Sequence, residues 1–317
     1  MKSGSYYKVI TLICGGVGGA KLARGFAQAF SEYRINIITN TADDTEFYGL
    51  HISPDLDTMM YTLAGLSDPK RGWGIKDDSF QSLCQLEKYG EATWFKLGDK
   101  DLATRILRTK MLKEGKTLTQ VTSYLSRKLG VQTNILPMTN QRVETFIKTD
   151  KRTIPFQEYF VLSQKKVHIK QVIFKGIRKA RGTNEVAEAI NNADLLVFAP
   201  SNPIVSILPI LSIPGMRQSI TVSPALKVAV SPFIGKEAIS GSAKELMESK
   251  GFEGSSTGVA RFYAKLIDLL FIHYLDKEEK EQIEQLGIAV AMTETLMKEV
   301  DDSVQLARKI YETPRRG

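Results

Sequence analysis

Cysteine is scarce in this chain: Cys14 and Cys84 are the two in 317 residues, and they share neither metal-ligand nor redox spacing. That excludes a disulfide scaffold and a thiolate metal centre, and both thiols read as reduced, as expected of a cytoplasmic protein. Long apolar runs are missing as well, so no segment is of a length to cross a membrane. Lys2 and Lys8 ahead of the short run Val9-Ile10-Thr11-Leu12-Ile13 imitate a secretory leader. The glycine break after that run, and the amphipathic helix that follows at once, argue instead for a first strand. Internal repeats and low-complexity linkers are absent too.

Charge of one sign is in modest excess, 43 basic against 35 acidic residues, a net of +8. The basic residues are scattered among acids, as in Asp99-Lys100-Asp101, with no basic stripe interleaved with aromatics. A nucleic-acid partner is therefore not expected, and the excess suits small anionic substrates. With 43% hydrophobic and 25% charged residues the composition is that of an ordinary soluble globular protein, long enough for a full core.

What the chain does have is glycine in one place. Cys14-Gly15-Gly16-Val17-Gly18-Gly19-Ala20-Lys21 follows the first apolar run and precedes the helical spacing Leu22, Phe26, Phe30. The pattern reads as strand, tight turn and helix start, a place where unpaired N–H groups and the helix dipole converge on an anion. The dinucleotide fingerprint is incomplete, because Lys21 stands where a third glycine belongs, and the Walker pattern fails at Leu22. On these residues alone, a plain βα turn without a ligand stays open.

A second branched run, 35–39, leads into Asn40-Thr41-Ala42-Asp43-Asp44. Loops at the carboxyl ends of neighbouring parallel strands share one crevice, so Asp43 and Asp44 are expected beside the glycine turn. Adjacent acids facing a phosphate repel it unless a cation lies between them. Ser53-Pro54-Asp55-Leu56-Asp57-Thr58 then opens a helix, with Ser53 as N-cap, Pro54 at the first position and Leu56, Met59, Met60 and Leu63 as its buried stripe. Asp57 reads as a structural acid in the first turn. Asp55 joins Asp43 and Asp44 in a carboxylate cluster suited to Mg²⁺, which favours hard oxygen ligands and bound diphosphate.

Further on, Arg71-Gly72-Trp73-Gly74 makes a turn, with Trp73 either stacking on a flat ring or covering a core edge. A helix is expected from Asp78 through Tyr89, and Asp99 is expected to cap the helix carrying Leu102, Ile106 and Leu107, with Lys96 a candidate anion contact just before it. Strands are expected at 195–199, 227–230, 269–274 and 288–291. Pro200-Ser201-Asn202-Pro203 after the first of these is a second ligand loop, capped by Asn202. The fold expected is α/β, a Rossmann-like open, mostly parallel sheet with helices on both faces. Residues 1–109 and 183–317 form its core, and 110–182 an inserted mixed helix and strand subdomain over the crevice.

These segments, together with Asn134-Ile135-Leu136-Pro137-Met138, resemble the 2-phospho-L-lactate transferase family, which makes the deazaflavin coenzyme F-420. The resemblance runs through nearly the whole chain in order; a leader through Tyr7 is extra, and Cys14 stands where serine or alanine is frequent. It implies passage of a 2-phospholactyl group, or a phosphoenolpyruvyl or phosphoglyceryl counterpart, from a guanosine diphosphate-activated form to the ribityl hydroxyl of the deazaflavin Fo. GMP leaves, Mg²⁺ is required, and a homodimer is expected. Asp43 and Asp55 match the metal positions and are the implied catalytic carboxylates, while Asp55 and Lys96 match contacts to Fo. Gly15, Gly16, Gly18, Ser201 and Asn202 fall where the guanosine diphosphate is held, with Lys21 counted among them. A base for the hydroxyl is left open between Asp55 and Asp44. The rival reading, a non-catalytic nucleotide-sugar-binding metabolic regulator of related fold, shares the glycine turn but gives no reason for 53–58 or 96–99.

Overall fold

The computed structural model describes residues 8–162, 167–235, 237–239 and 241–312; Lys2 and the leader through Tyr7 lie outside them. The strands are β1 Val9–Cys14, β2 Arg34–Thr39, β3 Thr45–Phe47, β4 Leu50–Ile52, β5 Asn134–Pro137, β6 Glu144–Thr149, β7 Thr153–Pro155, β8 Ile169–Lys175, β9 Leu195–Phe198, β10 Leu226–Val230, β11 Phe233–Ile234, β12 Glu237–Ala238, β13 Leu269–His273 and β14 Ala289–Thr293. Seven of them make the central sheet, in the order β14-β13-β10-β9-β1-β2-β5. Every neighbouring pair in it is parallel.

Short β-branched runs form this sheet because both of its faces are covered. Alternate residues fall into two cores, with Ile13, Ile38, Leu196 and Phe198 on one face and Ile10, Leu12, Ile37 and Val197 on the other. The second face is closed by α1 Gly16–Ala29, α2 Pro54–Leu63, the later helix Leu118–Lys128 and the C-terminal helix Val300–Tyr311. Gly25 lets the C-terminal helix lie close on α1: a Cβ there would sit 2.1 Å from the Ser303 carbonyl oxygen. Among the described residues, no helix is long and apolar enough to cross a membrane.

Residues 134–137, inside the span expected as an insertion, are the edge strand of the central sheet, and residues 110–113 complete a helix that begins at Asp99. Within that span, the antiparallel β7-β6-β8 is set apart from the central sheet. Its residues Ile147, Ile154, Ile169 and Val172 join the first of the two cores.

Outward from β1 the chain adds β2 and β5 on one side, then β9, β10, β13 and β14 on the other. The direction reverses between β1 and β9. In such sheets the loops leaving the carboxyl ends of those two strands diverge and open a crevice. Both glycine-turn and Ser201 loops leave from there.

Candidate active site

At that crevice lies a cavity of about 470 Å³ bordered by Gly15, Gly16, Gly18, Ser201 and Asn202. The turn is built by close approach. Gly16 takes φ +64° at the first residue of α1, a left-handed conformation that favours glycine. A Cβ on Gly15 would meet Asp55 Oδ2 at 2.3 Å, and one on Gly18 the Pro200 carbonyl oxygen at 2.5 Å. The Ser201 hydroxyl is engaged within the protein: it donates to the Gly15 carbonyl at 2.8 Å and accepts the Gly15 N–H at 3.1 Å. It therefore stitches the two loops together. Asn202 Oδ1 caps the turn that follows, accepting the Ile204 and Val205 N–H groups at 3.0 and 3.3 Å. Val17 and Gly18, at the second and third positions of α1, have no carbonyl a turn earlier to bond, and both border the cavity. Lys21 is not brought there. One turn into the helix it faces the C-terminal segment and donates to the Met297 carbonyl at 2.7 Å.

Asp43 and Asp55 both face the cavity and are both buried. Asp55, in the first turn of α2, accepts from Asn40 Nδ2 at 3.0 Å and from the Gly16 N–H. Burial nevertheless pushes its carboxyl up to about 6, against those two hydrogen bonds. Burial, with Asp55 beside it, holds Asp43 well above the ordinary carboxylate range. Asp44 is turned elsewhere: its Oδ2 accepts from His51 Nε2 at 2.9 Å and from the Ser53 hydroxyl at 2.8 Å. Ser53 thus stands at the helix start without capping it by its side chain.

Among the described residues no group of three His, Cys, Asp or Glu side chains is arranged to hold a metal ion. The expected three-carboxylate cluster is thus a pair. A pair fits Mg²⁺, which takes one or two carboxylates and fills its octahedron with water and substrate phosphate. A further fit lies in Asp43 Oδ1, a buried oxygen with no hydrogen-bond partner.

Much of the remaining lining is aromatic. Trp73, Trp94, Phe95, Phe156 and Phe160 border the cavity, and Lys96 stands among them with an exposed side chain. Arg71 lies 5.1 Å from the Trp73 ring centroid. The segment carrying Trp94, Phe95 and Lys96 hangs between α3 Gln81–Lys88 and α4 Asp99–Lys113. Capping here is reciprocal, which corrects the expected role of Asp99. Asp99, the first residue of α4, caps α3 by accepting the Gln81 and Ser82 N–H groups, each at 3.0 Å. Asp78 caps α4 in return, accepting from the Lys100 and Asp101 N–H groups at 2.8 and 3.1 Å. Gly98 leaves room for it, since a Cβ there would lie 2.1 Å from Asp78 Oδ2.

The same cavity is bordered by a buried ionic cluster that sequence reasoning missed, with Asp57, Tyr61, Asp101 and Arg105 in its lining. Asp57 pairs with both Arg105 and Arg108, and Arg105 also reaches Asp101 Oδ2 at 2.8 Å. The Tyr61 hydroxyl donates to Asp101 Oδ1 at 2.7 Å. Burial opposes the charged form of both guanidiniums, with Arg108 adding to it at Arg105, while Asp44 favours the charge on both and Tyr61 and Asp101 favour it on Arg108. The signal available was the i, i+4 spacing of Asp101 and Arg105; nothing in the order of residues ties Asp57 to a helix some fifty positions on.

With this geometry in place, the comparisons with known proteins narrow the reading. The family model described as 2-phospho-L-lactate transferase CofD matches residues 10–306. A protein of Streptomyces griseus named phosphoenolpyruvate transferase is 38% identical over 96% of this chain and 97% of its own. A protein of Methanocaldococcus jannaschii named 2-phospho-L-lactate transferase is 37% identical over the same shares. A crystal structure of a member of the UPF0052 family from Bacillus halodurans superposes with a TM-score of 0.63 at 16% identity, covering 96% of this chain and 99% of that one; at that identity it speaks for the fold alone.

Proposed function

Since the chain belongs to the 2-phospho-L-lactate transferase CofD family, we propose that it passes a 2-phospholactyl group, or a phosphoenolpyruvyl or phosphoglyceryl counterpart, from its guanosine diphosphate-activated form to the ribityl hydroxyl of Fo. GMP is released, and the product lies on the route to coenzyme F-420. The observation that carries this reading is one cavity that gathers open helix N-terminal amides, several aromatic side chains and two buried carboxylates. The amides suit a diphosphate and the aromatic side chains a flat ring system.

Each residue then has a task. The Val17 and Gly18 amides take diphosphate oxygens, and the Ser201 bridge keeps the two loops at the separation that the anion needs. Asp43 and Asp55 would hold Mg²⁺, which would supply neutralisation of the charge that builds on the diphosphate. Lys96 and Asp55 meet the acceptor, with Trp73 available to its ring. Phosphoryl-group transfer through a loose transition state draws most of its acceleration from positioning and charge neutralisation, so an early proton acceptor is not required.

Relatives named for the phosphoenolpyruvyl and phospholactyl reactions are 38% and 37% identical to this chain, so overall identity does not choose the donor. The test is purified protein with Fo, Mg²⁺ and each guanylylated acid in parallel, followed by GMP release. Turnover with one donor supports the reading and names the acid. Tight binding with no GMP released would favour the non-catalytic regulator.

A further inference from the structure

The side chain that joins the parts of this site has no task in the reaction as described. Asn40 follows the last residue of β2 and is fully buried. Its Oδ1 accepts the Ala42 N–H at 2.9 Å, which settles the way the amide faces. The Nδ2 group is therefore turned to Asp55 Oδ2 at 3.0 Å and to the Val205 carbonyl at 3.3 Å. Three borders of the crevice meet on this one amide: the turn that carries Asp43, the first turn of α2 and the loop after β9. Asparagine has what the place requires, an acceptor for the turn and a donor group for the carboxylate. Leucine fills a similar volume with neither, and aspartate keeps the acceptor while losing the donor.

We propose that Asn40 is a positioning residue for the divalent cation: it is not a ligand, but its amide sets the Asp55 carboxylate and the Asp43 turn in the relation that cation binding needs. The proposal rests on the reading above, in which Asp43 and Asp55 hold Mg²⁺. Groups that orient metal ligands from behind commonly contribute about 10- to 100-fold in metal affinity. Here the one amide holds the Asp55 carboxylate and, through the Ala42 N–H, the turn that carries Asp43, so its loss disturbs the pair as a unit.

The test uses the full chain with Mn²⁺ alone as probe, titrated by electron paramagnetic resonance, and thermal unfolding with and without Mn²⁺. Asn40→Leu is expected to weaken Mn²⁺ binding about tenfold or more relative to the parent protein. Asn40→Asp keeps the shape and the Ala42 contact but sets a third carboxylate against Asp55. Its Tm without metal should fall, and Mn²⁺ should raise it by more than it raises the parent's. If both variants lose Tm while Mn²⁺ affinity and the Mn²⁺ increment match the parent's, Asn40 is merely structural and the proposal is overturned. A parent protein that binds no Mn²⁺ overturns the metal reading itself, and the role of Asn40 with it.

Discussion

Asp55 is held in two opposed ways, and the balance sets a pH dependence. Its carboxyl lies at about 6 in the folded protein against an ordinary 3.8. Between those values the folded state binds the proton more tightly than the unfolded chain does, so native stability falls as pH rises through this window. Above it the ionised group costs about 2–3 kcal/mol when no cation is bound. Asp55→Asn removes that cost along with the charge. Metal-free Asp55→Asn protein is therefore expected to melt above the parent at pH 7.5 and level with it below pH 4. In the transferase assay the same variant should lose GMP release by about 100-fold or more. A variant that melts no higher at pH 7.5, or that turns over near normally, would remove Asp55 from its assigned role. A residue that destabilises the fold it belongs to is best accounted for by a charge kept for a ligand.

At the scale of elements, two junctions hold the wall of the site. Asp57 ties α2 to α4 through two guanidiniums, one of them, that of Arg108, fully buried. Asp57→Asn leaves two buried cations facing Asp101, and a loss of about 3–5 kcal/mol is expected in denaturant unfolding. Asp57→Leu combined with Arg108→Met should recover part of it, since an apolar pair carries no unpaired charge; a double variant no more stable than Asp57→Asn would count against an electrostatic origin. The second junction is the mutual capping of α3 and α4 by Asp99 and Asp78. Asp99→Ala frees the α3 start and loosens the segment that presents Trp94, Phe95 and Lys96. Its expected signature is a KM for Fo raised several-fold with a smaller change in kcat, and a kcat loss at unchanged KM would refute the link. The order of residues displays Asp99 before a helix but not that the helix it caps is the preceding one. Capping is read from local sequence, whereas this corner is made by two starts facing each other. Lys21 misleads for a related reason: its place after the glycines suggests a phosphate contact, yet the helix phase carries it round to Met297.

Over the whole molecule, the interior parallel strands are legible because each is a short, mostly apolar run buried on both faces, and the pairing of Asp43 with the glycine turn follows from the common direction of β1 and β2. The reversal between β1 and β9 is not written in any one segment. It depends on which strands become neighbours, and so do the Ser201 bridge and the meeting of Asn40 with Val205. The edge strand at 134–137 is hidden for the same reason, since an apolar run does not say which sheet it joins. This topology makes the two sides of the proposed diphosphate site separate loops, joined among themselves by the hydroxyl of Ser201 and the amide of Asn40, with two buried carboxylates bordering the same cavity. Mg²⁺ alone relieves the carboxylates, whereas GDP alone brings more negative charge toward them. The two together should therefore raise Tm by more than the sum of their separate increments. At a concentration of the bound pair about 100 times its Kd, the stabilisation expected is about 2.7 kcal/mol. Thermal unfolding with Mg²⁺, with GDP, with both, and with both plus EDTA measures it. Simple additivity would mean that the glycine turn and the carboxylates bind their ligands independently rather than as one site.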